Sequence, residues 1–182
     1  MTSEYPSEPT PHLVMLIGLP GAGKTTLANW LSHEYGFVVA SRDTIRAAMF
    51  PDCQYTLAEK RAAFSALKHA IAIMLGQAKS VVTDGICFSS QQERQDVIEL
   101  AEQAGARMTI LACECPLTVA QARVEHDRLI DPNALKDRDA RLVQQTQDRF
   151  DPLPDSAIPI DMDAPLEAVR TAAACQLGLQ RK

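Results

Sequence analysis

Gly18-Leu19-Pro20-Gly21-Ala22-Gly23-Lys24-Thr25 follows the pattern G-x-x-x-x-G-K-[ST], and those residue types at that spacing suit one task, holding a chain of phosphates. The glycines let the backbone turn tightly and bring its N–H groups toward an anion. Pro20, Gly21, Ala22 and Gly23 are the expected cradle. Lys24 is spaced to reach the β- and γ-phosphates, the Thr25 hydroxyl to bind Mg²⁺, and Thr26 to follow at the helix start. The implied ligands are ATP and Mg²⁺.

A phosphate loop fixes only the donor. A transfer reaction also needs a group for the acceptor, a carboxylate near the metal, and positive charge over the moving phosphoryl. Asp43, in Ser41-Arg42-Asp43-Thr44-Ile45-Arg46, could accept a hydroxyl proton. Arg46, one turn on, could bind an anionic part of the acceptor. The same Asp43 could equally be the N-cap of a short helix. Asp84 could hold Mg²⁺ through water beside Thr25, or form an Asp-Gly turn. Phe88 could stack on a substrate ring or simply pack. Between Arg123 and Arg141 lie Arg128, Lys136 and Arg138 among interspersed acids, in irregular sequence that reads as a lid over about 124–142. Its arginines could stabilise transition-state charge, or line a solvated face with pairs such as Asp137 and Arg141.

Other uses of such a loop are disfavoured. No N-K-x-D motif is present, and Asp84-Gly85-Ile86-Cys87 does not supply D-x-x-G, so a GTPase is not indicated. A large mechanical ATPase needs more chain than 182 residues. Cys113-x-Cys115 has no partner pair at metal-ligand spacing, and the histidines are not paired with cysteines or carboxylates.

The elements that must position these residues alternate between strand and helix. Leu13–Ile17 is an apolar run before the loop, and Leu27, Trp30 and Leu31 share one helical face after it, ending at Gly36. Phe37–Ala40 and Val81–Asp84 read as strands two and three. Thr56-x-x-Glu59 and Ser90-x-x-Glu93 carry capping-box signatures for two helices, the first with a Phe64, Leu67, Ile71, Met74 and Leu75 stripe, the second burying Val97, Leu100, Ala101 and Ala104. Met108–Cys113 is strand four. Pro116 opens a helix to about Arg128. Ile158–Asp161 is strand five, placed at an edge by Pro159. A final helix from Pro165 to Leu177 buries Leu166, Val169, Ala173 and Leu177. This alternation predicts an α/β three-layer fold with a five-stranded parallel sheet, and gathers Gly18, Asp43 and Asp84 at the carboxyl ends of the strands.

Composition fits one domain over 12–182 behind a polar leader, 1–11, expected to be disordered and lacking the apolar centre of a secretory signal. Apolar residues make up 46% of the chain, enough for a core, and no run is long enough to span a bilayer. Five cysteines, an odd number, suggest reduced thiols and a cytoplasmic setting. The net charge of −5 argues against binding a long polynucleotide.

Taken together, Gly18-x-Pro20-Gly21-x-Gly23-Lys24-Thr25, Ser41-Arg42-Asp43-x-x-Arg46 and Thr83-Asp84 resemble the kinase domain of polynucleotide 5′-hydroxyl kinases. They also resemble the wider group of small P-loop kinases with zeta-toxin-like and chloramphenicol-phosphotransferase-like members. The resemblance spans about Leu13 to Leu177. It implies a sheet of the adenylate-kinase type, Asp43 as general base, Arg46 on the acceptor's phosphate, and lid arginines on the phosphoryl group, with Arg123 and Arg128 the nearest matches. Leu129–Asp139 is more acidic than the family's lid, and Ile86-Cys87 stands where nucleoside monophosphate kinases carry Pro-Arg. The expected activity is ATP-dependent transfer of the γ-phosphoryl to the hydroxyl of a small molecule, a nucleoside or a short nucleic-acid 5′ end. An adenylate-kinase-like nucleotide kinase and a non-kinase nucleotide switch are the rival readings.

Overall fold

The computed structural model describes residues 10–130 and 138–180. Lys136 and Asp137, and most of the expected leader, lie outside them. Twelve elements follow in the order β1 (His12–Ile17), α1 (Lys24–Tyr35), β2 (Val38–Ser41), α2 (Arg42–Met49), α3 (Leu57–Gly76), β3 (Val81–Asp84), α4 (Gln91–Gln103), β4 (Arg107–Glu114), α5 (Leu117–Ile130), α6 (Ala140–Asp148), β5 (Ala157–Asp161) and α7 (Leu166–Leu177). The strands form one sheet, ordered β2-β3-β1-β4-β5 and parallel throughout. Pro159 sits on β5 at the sheet edge, where a missing N–H costs no ladder bond.

Every residue of β1 is buried, because helices cover both faces. Val14 and Leu16 point to one layer, with Leu27, Trp30 and Leu31 of α1 and Val169 and Ala173 of α7. Leu13, Met15 and Ile17 point to the other, with Leu67 and Ile71 of α3 and Val97 and Ala101 of α4. A strand period of two splits the run between two cores. Leu19 of the glycine loop packs separately on Ala120 and Val124 of α5 and Val143 of α6. The loop is thus held from below by the sheet and from the side by the helices flanking 131–137.

The α3 start bears the full capping box, with Thr56 and Glu59 satisfying each other's backbone amides. The α4 start differs from expectation. The Ser90 side chain caps nothing; instead Asp151 Oδ2 accepts from the Gln91 N–H at 2.7 Å, across 60 residues. The neighbouring Arg94 is buried and donates to the Phe88 and Pro152 carbonyls at 2.9 and 2.7 Å. Together Arg94 and Asp151 clamp the segment after β3 to the segment after α6. On α5 the buried residues are Ala120 and Val124. On α7 Leu166 is largely exposed, while Val169, Ala173 and Leu177 are buried. Among the described residues no helix is long and apolar enough to cross a membrane.

Candidate active site

The glycine loop leaves β1, the central strand, and delivers the chain into α1. Two of its glycines are dictated by crowding. A Cβ on Gly18 would lie 2.4 Å from the Cys113 carbonyl, and one on Gly21 would lie 2.3 Å from the Ala120 carbonyl. Gly23 caps α1 at φ +92, a left-handed conformation that favours glycine. Behind the loop, burial raises the Cys113 thiol to about 12, so this side chain is an uncharged packing group.

Lys24 is buried, and its Nζ donates to the Gly18 and Leu19 carbonyls at 2.8 Å each. Its ammonium group is thus folded back onto the loop's own carbonyls. Thr25 Oγ1 donates to Asp84 Oδ1 at 2.8 Å. A hydroxyl and a carboxylate, one from α1 and one from β3, therefore converge as hard oxygen donors of the kind Mg²⁺ takes, leaving further positions to phosphate oxygens and water. Register explains the meeting: β1, which leads through the glycine loop into α1, pairs in parallel with β3, Leu13 opposite Val81 and Val14 opposite Val82, so the two strands end side by side.

Asp43 is the second residue of α2. The N-cap is Ser41, whose Oγ accepts from the Thr44 N–H, so Asp43 is not engaged as a cap. Its carboxylate is instead gripped by two arginines, Arg46 Nη2 at 3.0 Å and Arg138 Nη2 at 2.9 Å. Arg46 is buried, its guanidinium carbon 4.6 Å from the centre of the Tyr55 ring. Arg138 arrives from 95 residues away and is one-third exposed.

One cavity of about 510 Å³ joins these groups. Pro20, Gly21, Gly23, Lys24, Thr25 and Thr26 line it, together with Arg123 and the apolar Trp30, Met162, Ala164 and Val169. The Asp43, Arg46 and Arg138 cluster also lines it, as do Arg42, Lys60 and Arg149. Asp84 and Gly85 line it too.

Three expected site residues do not line the cavity. Phe88 is fully buried among Ile71, Ile86 and Val97, so its ring does not reach the cavity. Ala22 does not line the cavity; its methyl is buried and its N–H donates to the Leu19 carbonyl at 3.2 Å. Arg128 turns outward on α5 and pairs with Glu125 at 3.0 Å, while Arg138 occupies the position beside Asp43. Arg123 does line the cavity, donating to the Met162 carbonyl at 3.1 Å. Arg42, Lys60 and Arg149 were not singled out by spacing. Lys60 lies in the first turn of α3 and Arg149 is the C-cap of α6, so only the packing of those helices directs them to one place.

A parallel five-stranded sheet with a glycine phosphate loop after its central strand defines a P-loop α/β protein. The AAA domain family matches residues 13–153, and the chain belongs to that family. No curated protein matches the chain. Solved structures share the fold. A Chloroflexus aurantiacus protein described as a kinase by inference superposes with a TM-score of 0.72 at 20% identity, covering 94% of this chain and 100% of that one. A gluconokinase from Sinorhizobium meliloti gives 0.67 at 15% identity, covering 93% of each chain. The APS kinase of Mycobacterium tuberculosis, in complex with AMPPNP and APS, gives 0.68 at 17% identity, covering 93% of this chain and 99% of that one.

Proposed function

We propose that the protein is an ATP- and Mg²⁺-dependent kinase that transfers the γ-phosphoryl group to a hydroxyl. The observation that carries this reading is that one cavity holds both Lys24 and Thr25 and, beyond Asp84, the carboxylate of Asp43. A nucleotide switch needs the first set only. A hydroxyl acceptor needs a carboxylate within reach, and Asp43 faces the cavity without a capping duty. The naming of the fold's solved relatives as kinases of gluconate and APS is consistent with this reading.

In this proposal the triphosphate enters the loop and draws Lys24 Nζ off the Gly18 and Leu19 carbonyls onto its β- and γ-oxygens. Mg²⁺ bound there would neutralise phosphate charge, held by the Thr25 hydroxyl and, directly or through water, by Asp84. The nucleobase lies against the Trp30 and Val169 wall. The acceptor hydroxyl hydrogen-bonds Asp43 in place of Arg138. Its oxygen attacks the γ-phosphorus as the bond to the β–γ bridging oxygen breaks; the proton passes to Asp43 and ADP leaves. Arg138, displaced from Asp43, and Arg123 counter the charge on the transferring group. Arg46 stays beneath Asp43 and fixes its orientation.

The test is ADP release measured with Mg²⁺·ATP across a panel of alcohols, sugars, nucleosides and 5′-hydroxyl oligonucleotides, with transfer of ³²P followed in parallel. An acceptor-dependent rate and a labelled product are expected. If no hydroxyl compound raises ADP release or takes up label, the kinase reading fails.

A further inference from the structure

Arg46, the residue that a family resemblance assigns to an acceptor phosphate, is committed elsewhere: it is 3% exposed, ion-paired to Asp43 and stacked on Tyr55. Three other cations line the same cavity from three separate elements, Arg42 from α2 beside Asp43, Lys60 from α3 and Arg149 from the end of α6. Among the described residues none of them has a carboxylate oxygen within 4.0 Å, and Arg42 Nε is buried with no hydrogen-bond partner. Glu93 is the acid that faces Arg42 and Arg149; burial raises its pKa, and the two arginines act in the opposite direction.

The imbalance is large for an acidic protein. Eight cationic side chains and three carboxylates line the cavity, whereas the rest of the sequence carries ten Lys and Arg against twenty Asp and Glu. Loop, metal and triphosphate account for Lys24 and Arg123 at the donor end, Glu167 pairs with Arg170, and Asp43 accounts for Arg46 and Arg138. Arg42, Lys60 and Arg149 are left over, and two guanidinium groups with an ammonium match a dianionic phosphate ester better than a single carboxylate. An acidic exterior repels an extended polyanion, while a small anion that enters the cavity meets only the inner charges.

We infer that the acceptor is a small alcohol that already carries a phosphate monoester, and that Arg42, Lys60 and Arg149 hold that phosphate while its free hydroxyl faces Asp43. The inference rests on the kinase reading for the hydroxyl, but the anion site itself does not.

Two measurements on the full-length chain separate them. With the donor end filled by Mg²⁺·AMPPNP, inorganic phosphate is titrated by calorimetry. Saturable binding is expected, weakened about tenfold in Arg149→Gln and in Lys60→Gln, the scale of one lost charge-assisted contact. Thermal melting of each variant checks folding, and a wild-type-like melt with weakened phosphate binding supports the site. Absence of saturable binding, or equal binding in both folded variants, overturns it. ADP release is then compared for glycerol and glycerol 3-phosphate, ribose and ribose 5-phosphate, and a 5′-hydroxyl hexanucleotide. Preference for the phosphorylated members supports the inference. Preference for the neutral members overturns it and leaves the kinase reading standing, and preference for the hexanucleotide overturns the small-molecule class. Variant-sensitive phosphate binding with no acceptor-dependent ADP release keeps the anion site and removes the kinase reading.

Discussion

A Cβ on Gly85 would lie 2.7 Å from the Asp43 backbone nitrogen and 3.0 Å from the Asp43 carboxyl carbon. Gly85 also holds φ at +68, a conformation L side chains rarely adopt. The turn after β3 is therefore the floor on which the start of α2 rests, and Asp84 is coupled through one residue to Asp43.

Gly85→Ala should push Asp43 out of place and add backbone strain, at a cost of about 1–3 kcal/mol of stability. Calorimetric melting measures that loss. Turnover should fall further than folding explains, while AMPPNP affinity stays near wild type because the glycine loop is untouched. A fully active Gly85→Ala would show that Asp43 can shift freely.

Asp43→Asn keeps the shape of the side chain and removes the proton acceptor. The rate of phosphoryl transfer should drop about a hundredfold or more, in line with loss of general-base catalysis. Fluorescent-nucleotide binding should persist. Equal turnover in the variant would remove Asp43 from the chemistry.

Arg128 and Arg138 give opposite expectations. Arg138→Gln should slow turnover by about a hundredfold, the scale of losing one preorganised charge on the transition state. Arg128→Gln removes only an exposed pair with Glu125, and kcat/KM should stay within about twofold. Steady-state kinetics of the two variants side by side decides between the positions.

Thr25→Ala and Asp84→Asn each take one oxygen donor from the point where the two residues meet at 2.8 Å. The Mg²⁺ concentration for half-maximal activity should rise about tenfold or more in both. A Mg²⁺ titration at saturating ATP reads the shift, and unchanged curves would place the metal elsewhere.

His12 supplies a pH signature away from the site. It is buried at the start of β1, its Nε2 2.8 Å from Thr109 Oγ1, while Arg107 Nη2 donates to its Nδ1 at 2.7 Å. Burial and the Arg107 charge lower its pKa from 6.5 to about 4. The unfolded chain thus binds a proton near pH 6.5 that the folded chain refuses until about pH 4. Stability from this group is fully present above 6.5 and declines as pH falls toward 4, by up to about 3 kcal/mol. Urea unfolding across that window should show the slope, and His12→Gln should flatten it.

The strand-loop-helix unit at 13–35 was legible in the sequence because its causes are local. An apolar run makes β1, glycines make the loop, and Leu27, Trp30 and Leu31 make the inner face of α1. The alternation of strands and helices likewise implied a parallel sheet, and with it the gathering of Gly18, Asp43 and Asp84 at one edge. Residue type and short spacing determined the donor end by themselves. Tertiary structure decided the rest. Whether Asp43 caps α2 or faces the cavity turned on Ser41 taking the cap. The choice between Arg128 and Arg138 turned on long-range placement: Arg128 pairs with Glu125 on its own helix, whereas Arg138, just before α6, meets Asp43 across 95 residues. Phe88 went to the core because Arg94 and Asp151 clamp its segment down. Arg42, Lys60 and Arg149 acquired a common role only where α2, α3 and α6 pack together. Local chemistry is written in neighbouring residues, whereas a site assembled from positions up to 107 residues apart, Arg42 to Arg149, exists only once the chain is folded.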